Sequence, residues 1–563
     1  MKKKKLAMAL AAVLASAMML AGCGGSASST SSSAASSSGS SSAAETTAKA
    51  ATSSNALDVQ IGPSPETIDP ALNSAVDGAN MILHAYEGLL KFDKDNNIVP
   101  GLAEKYETSS DGLTWTFHLR KGLKWSDGSA LTAKDFVYSW KRVADPSVAA
   151  PYGYDLLNYI TGYDEAAKGD LDKLGVSAPD DNTFVVKLKN PCTYFDKICA
   201  FAVLVPVQQA TIEANGDGWW TNPKTYITDG PYYMTEYTDG SQIVFTKNPN
   251  YWDAEHITFD TITWHLIEDA NAAYTAYQNG DVQMIKDVPT EEIPSLTGNK
   301  EFTIDPIMGT YYISFNCAKE PFNNAKVREA LSLAIDRNYV ANTIMQGTYS
   351  PATNFVGPGV SDATKGSKFE DVTKSKYGNF FNNDDYNKNL EAAKKALSDA
   401  GYPNGKGFPE IKYLTNDAGY HKAVAEYLQS AWAQLGITLT IDIQEWKTVT
   451  SDRRSGNFDV ARNGWVYDWD DPSNMINLLE TQNGNNDGKY SSKDFDKLVE
   501  EARTTADVDT HYAKLHEAEQ VMLKDYAMAP VAYYNDFWLQ KTNLKGTWHS
   551  PYGYWYFMYG SLE

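Results

Sequence analysis

Cysteine is scarce in this sequence, with four residues in 563, and so few cannot staple a scaffold that depends on disulfides. Basic residues are outnumbered: 49 Lys and Arg against 71 Asp and Glu give a net charge of −22, and a chain this acidic is repelled by nucleic acid. The apolar stretch at residues 6–20 is shorter than the roughly 20 residues that a membrane span needs. The chain is nevertheless 42% hydrophobic and 12% aromatic, which predicts two or three folded lobes with large cores.

The N-terminus has the pattern of an export signal. Four lysines at residues 2–5 precede the apolar stretch, whose end, Leu20-Ala21-Gly22-Cys23, resembles a bacterial lipobox. We therefore expect a signal peptide at residues 1–22 and a diacylglyceryl group on Cys23, which anchors a protein stably once two or three acyl chains are attached. A plain secretory signal with an incidental cysteine is the alternative.

Residues 23–56 are then a lipid-anchored linker. Ser, Ala and Thr fill nearly all of this segment, and such a composition cannot form a core. A flexible coil of this length spans about 30 Å. We expect it to tether the folded part of the chain to a membrane surface.

Three cysteines remain after Cys23: Cys192, Cys199 and Cys317. An odd number leaves at least one free thiol. A bridge between Cys192 and Cys199 is one alternative, and buried apolar roles for both are the other.

Hydrophobic periodicity predicts an α/β chain. Apolar and polar residues alternate over residues 113–120, which predicts a strand. Thr132 with Asp135 predicts the start of a capped helix that ends before Pro146.

The second half of the chain alternates between the two kinds of element. The patterns predict a helix at 390–400, a strand at 411–414, a helix at 424–435 and a strand at 437–443. Such runs build sheets flanked by helices, and a cleft between two lobes of this kind is where a ligand binds.

Catalytic motifs are weak. The sequence has no His-Glu-x-x-His, Gly-x-Ser-x-Gly or Cys-x-x-Cys pattern, and nothing in it indicates a metal or a cofactor. His511 and His516 are five residues apart, so they do not share a helical face, and we expect them on a surface helix. Asp468, Asp470 and Asp471 could serve a glycosidase, but their spacing alone does not put two of them on opposite sides of a sugar ring. We therefore expect a binding protein and not an enzyme.

Residues 444–472 combine cations, aromatic rings and acids. Within this stretch lie Trp446, Arg453, Arg454, Arg462, Trp465 and Asp468. The mixture suits a zwitterion. A free peptide has an ammonium at one end and a carboxylate at the other, joined by amide groups that an exposed strand edge can pair.

The same stretch resembles the oligopeptide-binding proteins of ABC importers, solute-binding protein family 5. The resemblance extends over nearly the whole chain after the linker. Further matching segments follow in the family's order: PSPETIDPAL from Pro63, EGLLKFD from Glu87, WTFHLRKGLKWSDGSALTAKDFVYSWKRVADP from Trp115, NPNYW from Asn248, PFNNAKVREALSLAIDR from Pro321 and PVAYYNDFWL from Pro530.

The resemblance implies a large two-lobed α/β fold like that of periplasmic binding proteins, type II and three-domain cluster C, with mixed sheets flanked by helices and a hinge. We expect lobe I to comprise residues 57–86, 209–308 and 536–563. An inserted extra domain is expected at 87–208. Lobe II is expected at 309–535, with most of the contacts to the peptide ends.

The resemblance also implies which residues hold the ends of a peptide. Asp468, three residues after Trp465, matches the aspartate that binds the peptide ammonium. Arg462, Arg453 and His421 match positions that receive or sense peptide carboxylates. A solvated strand edge with surface ion pairs is the alternative for the arginines, and an exposed helix start is the alternative for His421.

The implied pocket residues are Trp446, Trp465, Gly464, Tyr152 and Tyr534. Trp446 matches an aromatic residue that lines a side-chain pocket, and the two tyrosines match residues near the ligand. Plain core positions are the alternative for both tyrosines.

Several positions depart from the family. Met345 occupies a position where some relatives have a lysine, and Ser74 one where some have an acid, so the preferred peptide length is open. Gly309 and Val466 stand where certain relatives have a cysteine pair, so that bridge cannot exist here. Arg454 replaces a less basic residue type, and we expect it at the surface.

The implied function is capture, enclosure and delivery. The expected partners are oligopeptides, the permease and ATPase subunits of an ABC importer and, through the lipid anchor, a membrane, with the chain itself a monomer on the extracellular or periplasmic side. A family-5 binder of nickel, haem or a sugar and a receptor for peptide pheromones are the alternatives. A surface glycosidase and an adhesin are more remote ones.

Overall fold

The computed structural model describes residues 55–192 and 194–563. The predicted signal peptide, Cys23 and all but the last two residues of the predicted linker lie outside the described residues. In the described ranges, no helix is both long and apolar enough to cross a membrane.

Strands and helices alternate along the described chain. The strands are β1 Ala56–Gln60, β2 Leu90–Phe92, β3 Ile98–Pro100, β4 Ala103–Thr108, β5 Thr114–Leu119, β6 Val176–Asp180, β7 Thr183–Lys187, β8 Tyr232–Thr238, β9 Gln242–Lys247, β10 Thr261–His265, β11 Met284–Ile285, β12 Phe302–Phe315, β13 Ser350–Pro351, β14 Ile411–Thr415, β15 Leu439–Ile443, β16 Val460–Val466, β17 Met528–Gln540, β18 Leu544–Lys545, β19 Trp548–His549, β20 Trp555–Tyr556 and β21 Ser561–Leu562. The α-helices are α1 Val76–Ala85, α2 Ala133–Ala144, α3 Gly153–Leu157, α4 Tyr163–Ala166, α5 Phe195–Ile198, α6 Gln209–Asn215, α7 Ala270–Asn279, α8 Ile293–Leu296, α9 Ala325–Leu333, α10 Arg337–Tyr339, α11 Phe369–Tyr377, α12 Tyr386–Asp399, α13 His421–Ala433, α14 Trp446–Ser455, α15 Ser473–Ile476, α16 Lys493–Thr504 and α17 Val508–Lys524.

The largest sheet has eleven strands, ordered β15-β14-β16-β12-β17-β11-β1-β10-β9-β8, with β13 paired to β17. The antiparallel strands β12 and β17 are its two long central strands. Residues 302–306 of β12 pair with residues 535–539 of β17, and residues 310–314 pair with 528–533 after a shift in register. Strand β16 pairs with residues 309–315 only, and β11 pairs with the far end of β17. The register shift therefore separates the two halves of the sheet.

A second, four-stranded antiparallel sheet has the order β4-β5-β7-β6. Its strand β5 confirms the strand expected at 113–120. Helix α2 follows the predicted cap: Thr132 accepts from the backbone N–H of Lys134, and the Asp135 carboxylate accepts from the Thr132 N–H at 2.7 Å. Such a reciprocal cap satisfies two N–H groups that a helix start leaves free.

The predicted α/β run is confirmed as α12, β14, α13 and β15. Strands β14 and β15 are parallel, and α13 connects them. The last strand begins two residues later than predicted because the N–H of Ile437 still donates to the carbonyl of Trp432, at the end of the helix. Gly436 allows this helix end, since its φ of 78° lies in the left-handed region.

Two large hydrophobic cores underlie the fold. One core combines residues of the four-stranded sheet with β1, β8, β9, β10 and the C-terminal segment, and includes Trp140, Trp264 and Trp469. The other surrounds β12, β14 and helices α9, α12 and α13, and includes Trp432. The predicted large cores are confirmed.

The surface position expected for His511 and His516 is wrong, because both are buried on α17. His511 contacts a carboxylate oxygen of Asp471 at 3.1 Å, and His516 contacts Asp362 at 2.9 Å. Acids from other parts of the chain supply the polar partners of these histidines, and the periodicity of the helix does not reveal such partners.

The cysteine alternatives are also resolved. Cys192 and Cys199 are both buried and both free thiols, and Cys317 is a free thiol that is partly buried. The side chains of Cys192 and Cys199 pack in the first core as apolar groups.

Candidate functional site

A cavity of about 260 Å³ lies between the two cores. Its walls include Tyr152 and Phe201 from one core and Tyr311, Met345 and Phe537 from the other. All nine residues that the sequence predicted for ligand contact line it: Tyr152, His421, Trp446, Arg453, Arg462, Gly464, Trp465, Asp468 and Tyr534.

Strand β16 forms one wall of the cavity. It pairs along its whole length with β12, but its other neighbour, β14, pairs only with Val460 and Ala461. From Arg462 onward this edge carries no strand among the described residues. An open strand edge inside a cavity can pair with an extended main chain.

Gly464 leaves room for the Tyr534 side chain at this edge. A Cβ atom on it would lie 2.0 Å from the hydroxyl oxygen of Tyr534, which is far inside van der Waals contact. The opposite position on β12 is equally tight, since a Cβ on Gly309 would lie 2.6 Å from the carbonyl oxygen of Trp465. Gly309 and Val466 are direct partners across the two strands.

Asp468 is a buried carboxylate with three donors around it. Its Oδ2 accepts from the Tyr152 hydroxyl and from the Asn474 side-chain amide, both at 3.0 Å, and its Oδ1 accepts from the Tyr554 hydroxyl at 3.3 Å. Burial raises the pKa of Asp468 to about 7, although these hydrogen bonds each act to lower it. A cationic group of a ligand would provide the positively charged partner that its neutral donors do not.

The raised pKa predicts a pH dependence for any ligand that brings an ammonium to Asp468. Below pH 7 the carboxyl group is protonated in the unliganded protein, and it must release its proton to pair with the ammonium. We therefore expect the affinity to fall by about tenfold per pH unit below pH 7, measured by calorimetry from pH 7 to pH 5, where the α-amino group of the peptide stays protonated. An affinity that stays constant over this range would contradict the assignment, and the slope should vanish in Asp468→Asn.

Arg462 is the cation of the cavity that remains available. Its guanidinium lies 5.0 Å from the centre of the Trp446 ring and 5.7 Å from that of Tyr311, and within the described part of the chain it has no carboxylate within salt-bridge distance. His421 stacks near the same Tyr311 ring, at 5.5 Å between ring centres. Burial and the charges of Arg462 and Arg453 lower the pKa of His421 well below its ordinary value, so the imidazole is neutral. A carboxylate beside Arg462 would therefore meet one cation and one neutral donor.

Arg453 is held by protein groups. Its guanidinium donates to the side-chain oxygen of Asn463 at 2.6 Å and to the carbonyl of Arg462 at 3.2 Å, and its Nε lies 3.6 Å from a carboxylate oxygen of Asp487. Its charge is thus compensated within the cavity wall. The structure brings Arg453 to the cavity, but its first partners there are protein groups.

Arg454, which was expected at the surface, lies there only in part. Its side chain is 28% exposed, lines the cavity, lies 3.2 Å from a carboxylate oxygen of Glu66 and donates to the hydroxyl of Ser74. Trp446, at the other end of α14, donates from its indole N–H to Asp77 at 3.0 Å. Both ends of α14 therefore contact the segment that precedes and begins α1.

Two residues at Asp468 were missed by sequence analysis. Asn474 accepts from the backbone N–H of Asp468 at 3.0 Å and from the Trp465 indole at 3.1 Å, so it orients both. Tyr554 arrives from a segment 86 residues further along the chain. The aromatic run at residues 552–556 was the available signal for Tyr554, and nothing local marked Asn474.

The three acids of the glycosidase alternative do not converge. Asp468 lines the cavity, whereas Asp470 accepts from the backbone N–H and hydroxyl of Ser361, at 2.8 and 2.7 Å. Asp471 is paired with His511. The charge and the hydrogen bond of His511 lower the pKa of the Asp471 carboxyl group, although burial acts to raise it. No second carboxylate of this group is left to face a sugar ring with Asp468.

Comparison with known proteins identifies the family. The model of the bacterial extracellular solute-binding proteins, family 5, matches residues 97–487. The chain belongs to this family. The periplasmic oligopeptide-binding protein OppA of Salmonella typhimurium is 36% identical over 482 residues, which cover 84% of this chain and 86% of that protein. The family that the sequence resembles is confirmed.

Solved structures of relatives share the fold. The OppA of Haemophilus influenzae, in complex with the peptide RPPGFSPFR, matches with a TM-score of 0.83 at 30% identity, covering 91% of this chain and 99% of that one. The murein tripeptide binding protein MppA of Escherichia coli also gives 0.83, at 29% identity and the same coverage. The predicted fold class is confirmed.

The same relative indicates the state of the cleft. The unliganded open form of MppA gives a TM-score of only 0.58 at 30% identity, although it covers 91% of this chain and 98% of its own. Length and sequence do not explain the difference, because the coverage is almost the same. The conformation described here is therefore unlike the open form.

Proposed function

We propose that this chain is a substrate-binding protein that captures short oligopeptides by their charged ends and backbone and delivers them to an ABC-type peptide importer. The observation that carries the proposal is that the buried Asp468 and Arg462, which has no carboxylate partner among residues 55–192 and 194–563, line one cavity along the open edge of β16. The ammonium of a peptide suits the first group, its carboxylate suits the second, and its amide groups suit the strand edge. No bond of the peptide is broken.

Enclosure is the second part of the proposal. We divide the chain as the sequence suggests, into lobe I (57–86, 209–308 and 536–563), an inserted domain (87–208) and lobe II (309–535). The register shift between Pro306 and Thr310 of β12 falls at the boundary between lobes, which suits a hinge. Under this division, the contacts of α14 with Glu66, Ser74 and Asp77 join the two lobes across the cavity.

Delivery requires a location outside the cytoplasm. We propose that residues 1–22 are removed, that Cys23 carries a lipid anchor, and that a monomer faces the extracellular or periplasmic side. The closed form would dock on a membrane permease whose ATPase supplies the energy. The lipobox-like end of the apolar stretch and the Ser, Ala and Thr linker support the anchor.

A ligand panel tests the proposal. Melting of the purified protein is followed by tryptophan fluorescence with tri- to hexapeptides, nickel ions, haemin or maltose. A ligand at about one hundred times its Kd stabilises the folded state by about 2.7 kcal/mol, so we expect peptides to raise the melting temperature and the other compounds to leave it unchanged. Stabilisation by nickel, haemin or maltose without any by peptides would contradict the proposal.

A further inference from the structure

The cavity contains more negative charge than a simple zwitterion can match. Five of its lining residues are aspartates, and the cations among the lining residues are Lys286, Arg453, Arg454 and Arg462. Three of these cations already have carboxylate partners: Lys286 pairs with Asp536 at 3.5 Å, Arg453 with Asp487 at 3.6 Å and Arg454 with Glu66 at 3.2 Å.

Three aspartates of the lining then remain without an ion pair in the described part of the chain: Asp77, Asp287 and Asp468. The two ends of a bound peptide would match one acid and one base, Asp468 and Arg462. Asp77 and Asp287 are left over.

Both of these carboxylates are partly buried, and their hydrogen-bond donors among the described residues are all neutral groups. Asp77 accepts from the backbone N–H of Gly78 at 2.8 Å and from the Trp446 indole at 3.0 Å, and Asp287 accepts from the Gln60 side-chain amide at 2.7 Å. Burial raises the pKa of each, and the charge of Lys286 counteracts this at both. Asp536, which lies 3.5 Å from Lys286, has a closer partner in His549 at 2.9 Å. The single charge of Lys286 is therefore shared by two further carboxylates, Asp77 and Asp287.

We infer that the cavity selects peptides with a cationic side chain, Lys or Arg, because that side chain would bring a positive charge to the carboxylates of Asp77 and Asp287. This inference rests on the proposed function and narrows its substrate class. A charged side chain of the ligand loses its hydration when it enters the cavity. A nearby carboxylate of the protein compensates for that loss only if the side chain is positively charged. Specificity of this kind is a difference between two affinities for ligands of equal shape.

The position of the cation follows from Trp446. Asp77 bonds to the indole of Trp446, and the guanidinium of Arg462 lies 5.0 Å from the centre of the same ring. Asp77 thus lies at the end of the cavity that would hold the peptide carboxylate. We expect the cationic side chain in the carboxyl-terminal half of a bound peptide.

The test compares arginine with citrulline, which has nearly the same shape and no charge. Calorimetry is performed with Ala-Ala-Arg-Ala and Ala-Ala-citrulline-Ala, and again with the variable residue in the first position. We expect the arginine peptide to bind about tenfold more tightly with the residue in the third position, a difference of about 1.4 kcal/mol, and a smaller ratio with the residue in the first position.

Variants connect the ratio to the two carboxylates. In Asp77→Asn and Asp287→Asn we expect the arginine-to-citrulline ratio to fall below threefold, and in the double variant to approach one. The ratio is taken within each variant, so a general change in affinity cancels. Asp384→Asn removes the same charge from an exposed loop before α12 and should keep the wild-type ratio.

Each outcome has a distinct meaning. Ratios within twofold for the wild-type protein, with both peptides bound, would overturn the inference and leave the proposed function standing. A tenfold ratio that survives in the double variant would overturn it as well, because the selectivity would then come from elsewhere. Failure of both peptides to bind would overturn the proposed function itself.

Discussion

Replacing Asp468 with Asn should lower the affinity for a peptide with a free amino end by about thirtyfold to several thousandfold, measured by calorimetry at pH 8. The substitution keeps the size of the side chain and removes its charge. A desolvated ion pair that loses one partner typically costs about 2 to 5 kcal/mol, because the remaining charge stays buried without compensation. Asp468 is buried, and its hydrogen-bond donors Tyr152, Asn474 and Tyr554 are all neutral, so none of them can replace the negative charge that the ligand's ammonium loses.

A neighbouring aspartate provides the matched control. Asp470 lies two residues away and accepts from Ser361, outside the cavity lining. Asp470→Asn should change the affinity less than threefold. A loss in Asp468→Asn as small as that of the control would contradict the role of Asp468, and so would an equal loss for N-acetylated peptides.

Replacing Arg503 with Met should lower the free energy of unfolding by about 3 to 5 kcal/mol. Arg503 and Glu480 form an ion pair whose side chains are only 5% and 4% exposed. Without the arginine, Glu480 is left as an uncompensated charge near Asp155, itself a buried carboxyl group whose pKa is raised by burial to about 8. The measurement is urea unfolding followed by tryptophan fluorescence, compared between wild type and variant.

Two further variants show whether the loss of stability comes from the buried ion pair. Lys497 pairs with Glu501 on the same helix at 3.7 Å, but its side chain is 74% exposed, so Lys497→Met should cost less than about 1 kcal/mol. Replacing Arg503 and Glu480 together by Met should recover much of the loss, because the carboxylate that Arg503 then leaves unpaired, Glu500, is 55% exposed and stays hydrated. If Arg503→Met unfolds no more easily than Lys497→Met, the buried pair is not a stabilising element of the fold.

Local order in this chain was predictable because it follows from short-range rules. Thr132 and Asp135 cap α2 by contacts three residues apart, and the alternation of helix and strand around α13 follows from hydrophobic period and from Gly436. Such patterns need no knowledge of distant segments. The family motifs likewise identified residues that the structure brings to one cavity.

Contacts over long chain distances were not predictable. Asp77 and Trp446 are 369 residues apart in sequence, and Glu66 and Arg454 are 388 apart, so nothing local to either segment indicates the pairing. The same reason explains why His511 and His516 were expected at the surface. A charged or polar side chain is buried where a distant partner meets it, and the sequence alone does not reveal that partner.

Capture of a peptide by its charged ends is tested most directly by calorimetric titration of the protein with one tetrapeptide in three forms: with both ends free, N-acetylated and C-amidated. Capture by the charged ends predicts that acetylation lowers the affinity at least tenfold, about 1.4 kcal/mol, through Asp468, and that amidation lowers it through Arg462. Equal affinities for the three forms would contradict capture by the ends.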